Sequence, residues 1–163
     1  MRGHRLEDLD SSAALWNDPR VTRYIGGVPL SREESWSRLL RYAGHWALLG
    51  FGYWVAEERS TGTFVGELGF ADYKRDLQPP FPEMPEAGWV LAPTAQGKGF
   101  ATEAVRAINQ WGDIHFAGKP TACLIHPENA ASIRVAKKCG YEELRRATYK
   151  NRQSIVFVRN APR

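Results

Sequence analysis

The apolar positions of this chain change period along its length, and the changes divide it into helices and strands. The clearest helical stretch follows Gly99. Ala101, Ala104, Val105, Ile108, Trp111, Gly112 and His115 share one face, with Glu103, Arg106, Gln110 and Asp113 opposite. Residues 8–16 predict a short helix stopped by Asn17-Asp18-Pro19, and residues 31–46 a longer one. Ser31 and Glu34 have the spacing of a capping box at its start. A further helix is predicted over 129–139, capped by Asn129 and stopped by Gly140, with Lys137 and Lys138 in its last turn.

Strand signals fill much of the remainder. Residues 51–58 and 63–70 read as a hairpin around Arg59-Ser60-Thr61-Gly62. Short strands are predicted at 87–91, 121–125 and 152–159. Residues 21–30, with Gly26, Gly27 and Pro29, form a loop. So do residues 76–85, whose prolines Pro79, Pro80, Pro82 and Pro85 bar them from a helix or a sheet interior. Helices, antiparallel strands, then strand–helix–strand–helix–strand predict a single α/β domain over 1–163 with a mixed sheet.

Composition narrows the class. A chain of 163 residues supports one core without metal or disulfide staples. Cys123 and Cys139 stand far apart, in no metal-ligand or redox spacing, and read as reduced core residues of a cytoplasmic protein. No apolar run approaches the ~20 residues of a membrane span. Residues 1–8 lack the apolar stretch of a secretory signal. Net charge is +4, with Arg134, Lys137, Lys138, Arg145, Arg146, Lys150 and Arg152 facing only Glu142 and Glu143. That excess is either a solvated surface or an attraction for a polyanionic ligand. No helix-turn-helix, RNA-recognition or zinc motif accompanies it, so nucleic acid is not indicated.

The candidate chemistry lies at the strand-to-helix junction Gln96-Gly97-Lys98-Gly99-Phe100-Ala101-Thr102. Two glycines leave backbone N–H groups uncovered, and the helix N-terminus that follows adds unpaired N–H groups and partial positive charge. Either this is a cradle for phosphate, or a tight turn that needs glycine only for its φ. A nucleoside-triphosphate loop requires Lys-Ser/Thr after its second glycine, where this chain has Phe100. A dinucleotide fingerprint requires a third glycine at Thr102.

Gln96-x-x-Gly99-x-Ala101, after a strand ending Gly88-Trp89-Val90-Leu91, resembles the acetyl-CoA pyrophosphate loop of the GCN5-related N-acetyltransferase (GNAT) superfamily. The run from His126 through Asn129 to Arg134, and then Lys138-Cys139-Gly140-Tyr141, resembles the second half of that fold. The run from Asp18-Pro19 to Gly26-Gly27 is similar to its RimJ/RimL-like branch. The resemblance implies a GNAT fold: a mixed, mostly antiparallel sheet, splayed at the acetyl-CoA site and flanked by helices. It also implies a strand before the first helix. Met1-Arg2-Gly3-His4-Arg5 leaves that strand short or absent.

The same resemblance implies roles. Backbone groups of Gln96, Gly97, Lys98, Gly99, Phe100 and Ala101, with the Thr102 hydroxyl, hold pyrophosphate. Trp89, Val90 and Leu91 offer strand-edge groups to the pantetheine arm, and the N–H of Val90 or Leu91 polarises the thioester. Asn129, a helix cap in its own right, adds a pantetheine hydrogen bond. The tyrosine that many relatives use to protonate the thiolate is here Val135, which leaves Ser132 as the candidate acid. Glu67 and Glu86 are candidate bases, directly or through water, with His126 a third. An acceptor site is expected among the early helices, the proline-rich loop and the C-terminal hairpin, with Trp16, Tyr24, Trp36, Trp46, Trp54, Tyr73 and Phe81 as wall or core.

The reading is an acetyl-CoA-dependent N-acetyltransferase without a metal, acting by direct attack in a ternary complex, since no nucleophile stands out. The expected acceptor is a primary amine, foremost a protein N-terminus. A small-molecule amine such as a polyamine or amino acid is the alternative. A non-catalytic CoA-binding module is another, and a homodimer is possible.

Overall fold

The structure, a computed structural model, describes residues 1–162. The chain forms two compact units, Met1–Phe70 with Trp89–Ala101, and Ala71–Gly88 with Thr102–Arg163.

In the first unit a 3-10 turn, Leu6–Asp8, leads into α1 (Leu9–Trp16). A one-turn helix α2 (Pro19–Thr22) follows, where the sequence predicted loop from residue 21. Its cause is local: the Asp18 side chain accepts from Arg20 N–H, and Pro19 takes the first helical position, where no N–H is needed. Helix α3 (Arg32–Leu49) has the predicted capping box. Ser31 Oγ accepts from Glu34 N–H at 3.1 Å, and the Glu34 carboxylate accepts from Ser31 N–H at 2.7 Å. It runs three residues past the expected end and stops at Gly50, whose φ of 71° is open to glycine.

Strands β1 (Tyr53–Glu57) and β2 (Phe64–Ala71) pair antiparallel, Val55 opposite Glu67. Before α1, Arg2 makes a single antiparallel bridge to Val55, with N–H···O distances of 3.0 and 2.9 Å. Its guanidinium holds Asp8 at 2.7 Å and Glu57 at 2.6 Å. Leu15, Trp16, Val21 and Val90 form one core cluster here, backed by Leu30, Phe64 and Ala92.

In the second unit β5 (Thr121–Ile125), β6 (Glu142–Tyr149) and β7 (Arg152–Arg159) form an antiparallel ladder, β7 between the other two. Strand β4 (Glu86–Leu91) runs parallel to β5, Glu86 opposite Ala122. β6 has no apolar alternation to announce it, because Glu142, Glu143, Leu144 and Arg146 are exposed. The proline-rich segment was predicted as loop, yet it contributes β3 (Leu77–Gln78), an edge strand on β6 that ends where Pro79 removes the next donor. Leu77, Ala122, Ala147 and Val156 form the core cluster beneath. Among the described residues the hydrogen-bonded strand order is β1-β2-β4-β5-β7-β6-β3.

Helix α4 (Phe100–His115) follows β4, and α5 (Ala130–Lys138) follows β5. The buried stripe of α4 is Val105, Ile108, Asn109 and Gly112. Val105, Ile108 and Gly112 lie on the predicted face and Asn109 joins them, while Trp111 is only half-buried and stacks on exposed His115, ring centroids 4.1 Å apart. Cys123 and Cys139 are buried free thiols.

Candidate functional site

The candidate residues fall in both units. In the first, β4 ends at Leu91, and Ala92 N–H still donates to Val65 O of β2 at 2.9 Å. A 3-10 turn over Pro93–Ala95 then redirects the chain toward α4. Gln96 ties this bend down, because its side-chain amide donates to Leu91 O at 3.1 Å. Gly97 and Gly99 have φ of 77° and 88°. A side chain at either would meet nothing within 4 Å, so the loop faces open space. Gln96, Gly97, Lys98 and Gly99 are all exposed. Phe100 begins α4, and the first-turn N–H groups of such a helix have no partner within it. A glycine loop with room for a ligand to approach the main chain, followed by a helix N-terminus, has the geometry that suits an anion.

Trp89 is half-buried, and Val90 and Leu91 are buried. Gly66 of β2 packs onto them so closely that a Cβ there would collide with Val90 O and the Leu91 Cα. The glycine sets how near the two strands lie.

Glu67 is wholly buried on β2. Its Oε2 accepts the Trp16 indole N–H at 2.8 Å, and Oε1 lies 3.4 Å from Nε2 of His4, whose side chain is also buried. Burial pushes the Glu67 carboxyl up, but His4, Trp16 and Ser12 outweigh it and hold the group below the ordinary carboxylate range. The Arg38 guanidinium lies 3.8 Å from the centre of the Trp16 ring. Neither His4 nor Arg38 is a candidate from sequence, since each stands in a charged stretch that reads as surface.

In the second unit Glu86 is 5% exposed and clamped by Arg75, Nε to Oε2 at 2.6 Å and Nη2 to Oε1 at 2.7 Å. Both carboxylate oxygens are thereby engaged. Arg75 lies against the Tyr73 and Tyr149 rings, 4.6 and 4.8 Å from their centres. Asn129 caps α5, Oδ1 accepting from Ser132 N–H at 3.1 Å. Ser132 and Val135 are half-buried on that helix, and Thr102 lies in the first turn of α4. His126 accepts the Glu128 N–H on Nδ1 at 3.2 Å, an arrangement that shapes its own turn. Burial pushes the Cys123 thiol well up, which leaves no thiolate to carry an acyl group.

The family model described as an acetyltransferase (GNAT) domain matches residues 1–142. The chain is 31% identical to an uncharacterized protein, YkkB, of Bacillus subtilis (strain 168), over 96% of this chain and 90% of that one. Its fold is similar to a putative GnaT-family acetyltransferase from Bordetella pertussis, with 25% identity, a TM-score of 0.83, and 97% and 93% of the two chains covered. It is also similar in fold to a spermidine N-acetyltransferase from Vibrio cholerae solved with CoA and spermine. That match has 16% identity, a TM-score of 0.77, and covers 98% and 94%.

Proposed function

This chain belongs to the GNAT acetyltransferase family, as an N-acetyltransferase that uses acetyl-CoA, and on that premise we propose that its acceptor is an α-amino group, foremost a protein N-terminus. The observation that carries the proposal is the state of the two candidate bases. Glu67 is held by Trp16 and His4, and Glu86 by both arms of Arg75. Both oxygens of Glu86 and one oxygen of Glu67 are thereby engaged, and both side chains are buried, so neither carboxylate stands open to take a proton directly. A lysine or polyamine amine, with a pKa of roughly 10.4, needs strong help to lose its proton, whereas an α-amine near 8 needs little. The net charge of +4 also disfavours a polycationic acceptor.

Transfer proceeds by direct attack. The neutral amine nitrogen bonds to the acetyl carbonyl carbon, the carbon–sulfur bond breaks, the nitrogen gives up a proton and the thiolate gains one. The segment from Gln96 to Ala101, exposed as far as Gly99, holds the pyrophosphate with Thr102. The N–H of Val90 or Leu91 polarises the carbonyl. Ser132 supplies the proton to sulfur. Of the two carboxylates, Glu67 has the freer oxygen, Oε1, and takes the amine's proton through water.

Calorimetric titration with acetyl-CoA, followed by thiol release against a panel of N-terminal peptides, amino acids and spermidine, tests this. Turnover highest on peptides supports the proposal. Turnover highest on spermidine gives the reaction to a small-molecule amine, the second reading, which the fold likeness to a spermidine N-acetyltransferase favours. Binding without turnover on any amine makes the chain a CoA-binding module.

A further inference from the structure

We infer that Tyr141 is a positioning residue for acetyl-CoA, its buried hydroxyl completing a lock between the C-terminal end of α5 and the first three turns of α4. The inference rests on the acetyl-CoA reading of those two helices.

Thr102, Arg106 and Asn109 are spaced four and three residues apart, so they form one stripe along α4. Each meets the end of α5. The Cys139 thiol donates to Thr102 O at 3.7 Å, Arg106 Nη2 donates to Lys138 O at 3.5 Å, and Asn109 Nδ2 donates to Cys139 O at 3.3 Å. Asn109 is 4% exposed and Tyr141 1%. An amide in such a place works in one orientation only, and Tyr141 fixes it: the phenol donates to Asn109 Oδ1 at 3.0 Å, which leaves Nδ2 aimed at the helix end. Thr121 Oγ1, also 3.0 Å from the phenol oxygen, supplies the hydrogen bond that Tyr141 accepts. Burial pushes the Tyr141 hydroxyl well above its usual range, so it stays a neutral donor.

The lock matters because of what the helices carry. Thr102 is itself a pyrophosphate candidate, and α5 begins one residue after Asn129 and includes Ser132. Nine residues of helix are rigid, so a shift at Cys139 is carried over roughly 13 Å to Asn129. A phenylalanine at 141 would fill the same space and leave the amide unsteered. The hydroxyl therefore sets the separation of Thr102 from Asn129.

The test is calorimetric titration of acetyl-CoA into wild type, Tyr141→Phe and Thr121→Val, with kcat and Tm for each. Tyr141→Phe is expected to raise Kd fivefold or more and keep kcat at saturation within twofold. Thr121→Val takes away the Thr121 hydrogen bond to the phenol without touching the α4–α5 contact. It is expected to lower Tm similarly while Kd stays within twofold. A Tyr141→Phe Kd within twofold of wild type overturns the inference, as does equal weakening in Thr121→Val. Should Tyr141→Phe not fold, Cys139→Ala removes only the Thr102 contact: a two- to threefold rise in Kd supports the lock, and no change overturns it. A wild type that binds no acetyl-CoA overturns the proposed function, and the positioning role with it.

Discussion

Trp16 donates its indole N–H to Glu67 at 2.8 Å in a place where the carboxylate has no exposure to solvent and the indole 2%. The bond joins the end of α1 to the middle of β2. Trp16→Phe keeps most of the ring's volume and deletes the donor. The expected cost is about 1–3 kcal/mol for the stranded oxygen, beyond the smaller packing loss. Urea denaturation measures it, and an unchanged midpoint would mean that water replaces the indole.

The same carboxylate makes stability depend on pH. Glu67 is held below its ordinary range, and so is Asp8, where the Arg2 guanidinium bond is the largest cause. In the unfolded chain both return to about 4, so below that value the unfolded state binds more protons than the folded one. Their contribution is therefore present above pH ~4 and is lost as pH falls through the lower folded values. Acid titration of stability in wild type and Glu67→Gln checks the sign. The variant, already neutral at 67, is expected to lose less stability between pH 5 and 2.

Glycines at two places respond differently to alanine. At Gly99, with φ of 88° and empty space beside it, alanine costs about 1–2 kcal/mol of local backbone strain. The fold survives, and acetyl-CoA affinity falls as the loop relaxes. At Gly66 a Cβ meets the Val90 carbonyl oxygen and the Leu91 Cα, neither of which can swing aside. Gly66→Ala is expected to lower Tm far more than Gly99→Ala. Thermal melts with and without acetyl-CoA separate the two: ligand stabilisation is reduced in Gly99→Ala, and the apo melt drops in Gly66→Ala.

These contrasts explain how much was legible in the sequence. Caps were, because Ser31 with Glu34, and Asn129 with Ser132, are short-range pairings written a few residues apart. The turn from Gln96 to Ala101 was, because paired glycines between a strand and a helix mark the positive φ that Gly97 and Gly99 adopt. Strand β6 was not, since its exposed face is charged and its pairing with β7 is decided by the partner strand. Nor was the burial of His4, which follows from Arg2 being pinned to Val55, Asp8 and Glu57. The buried stripe of α4 shows the same limit. Asn109 had no place on either predicted face, because the partner that settles its burial, Tyr141, lies 32 residues away.

Ser132 offers the sharpest test of the chemistry, because its two functions separate. Its backbone N–H completes the Asn129 cap at 3.1 Å, and alanine keeps that N–H. Ser132→Ala therefore leaves α5 and its cap standing and removes only the hydroxyl proposed to protonate the leaving thiolate. A general acid of this kind contributes roughly 100-fold or more, so kcat is expected to fall by about that factor with acetyl-CoA KM nearly unchanged. The defect also carries a pH signature. A thiol of pKa ~8.5 leaves readily as thiolate in alkaline solution, so the ratio of wild-type to variant kcat is expected to shrink between pH 7 and 9.5. Steady-state rates at the two pH values decide the matter. A kcat within twofold of wild type at pH 7 removes Ser132 from proton transfer, and a large defect that does not change with pH assigns it to substrate alignment instead.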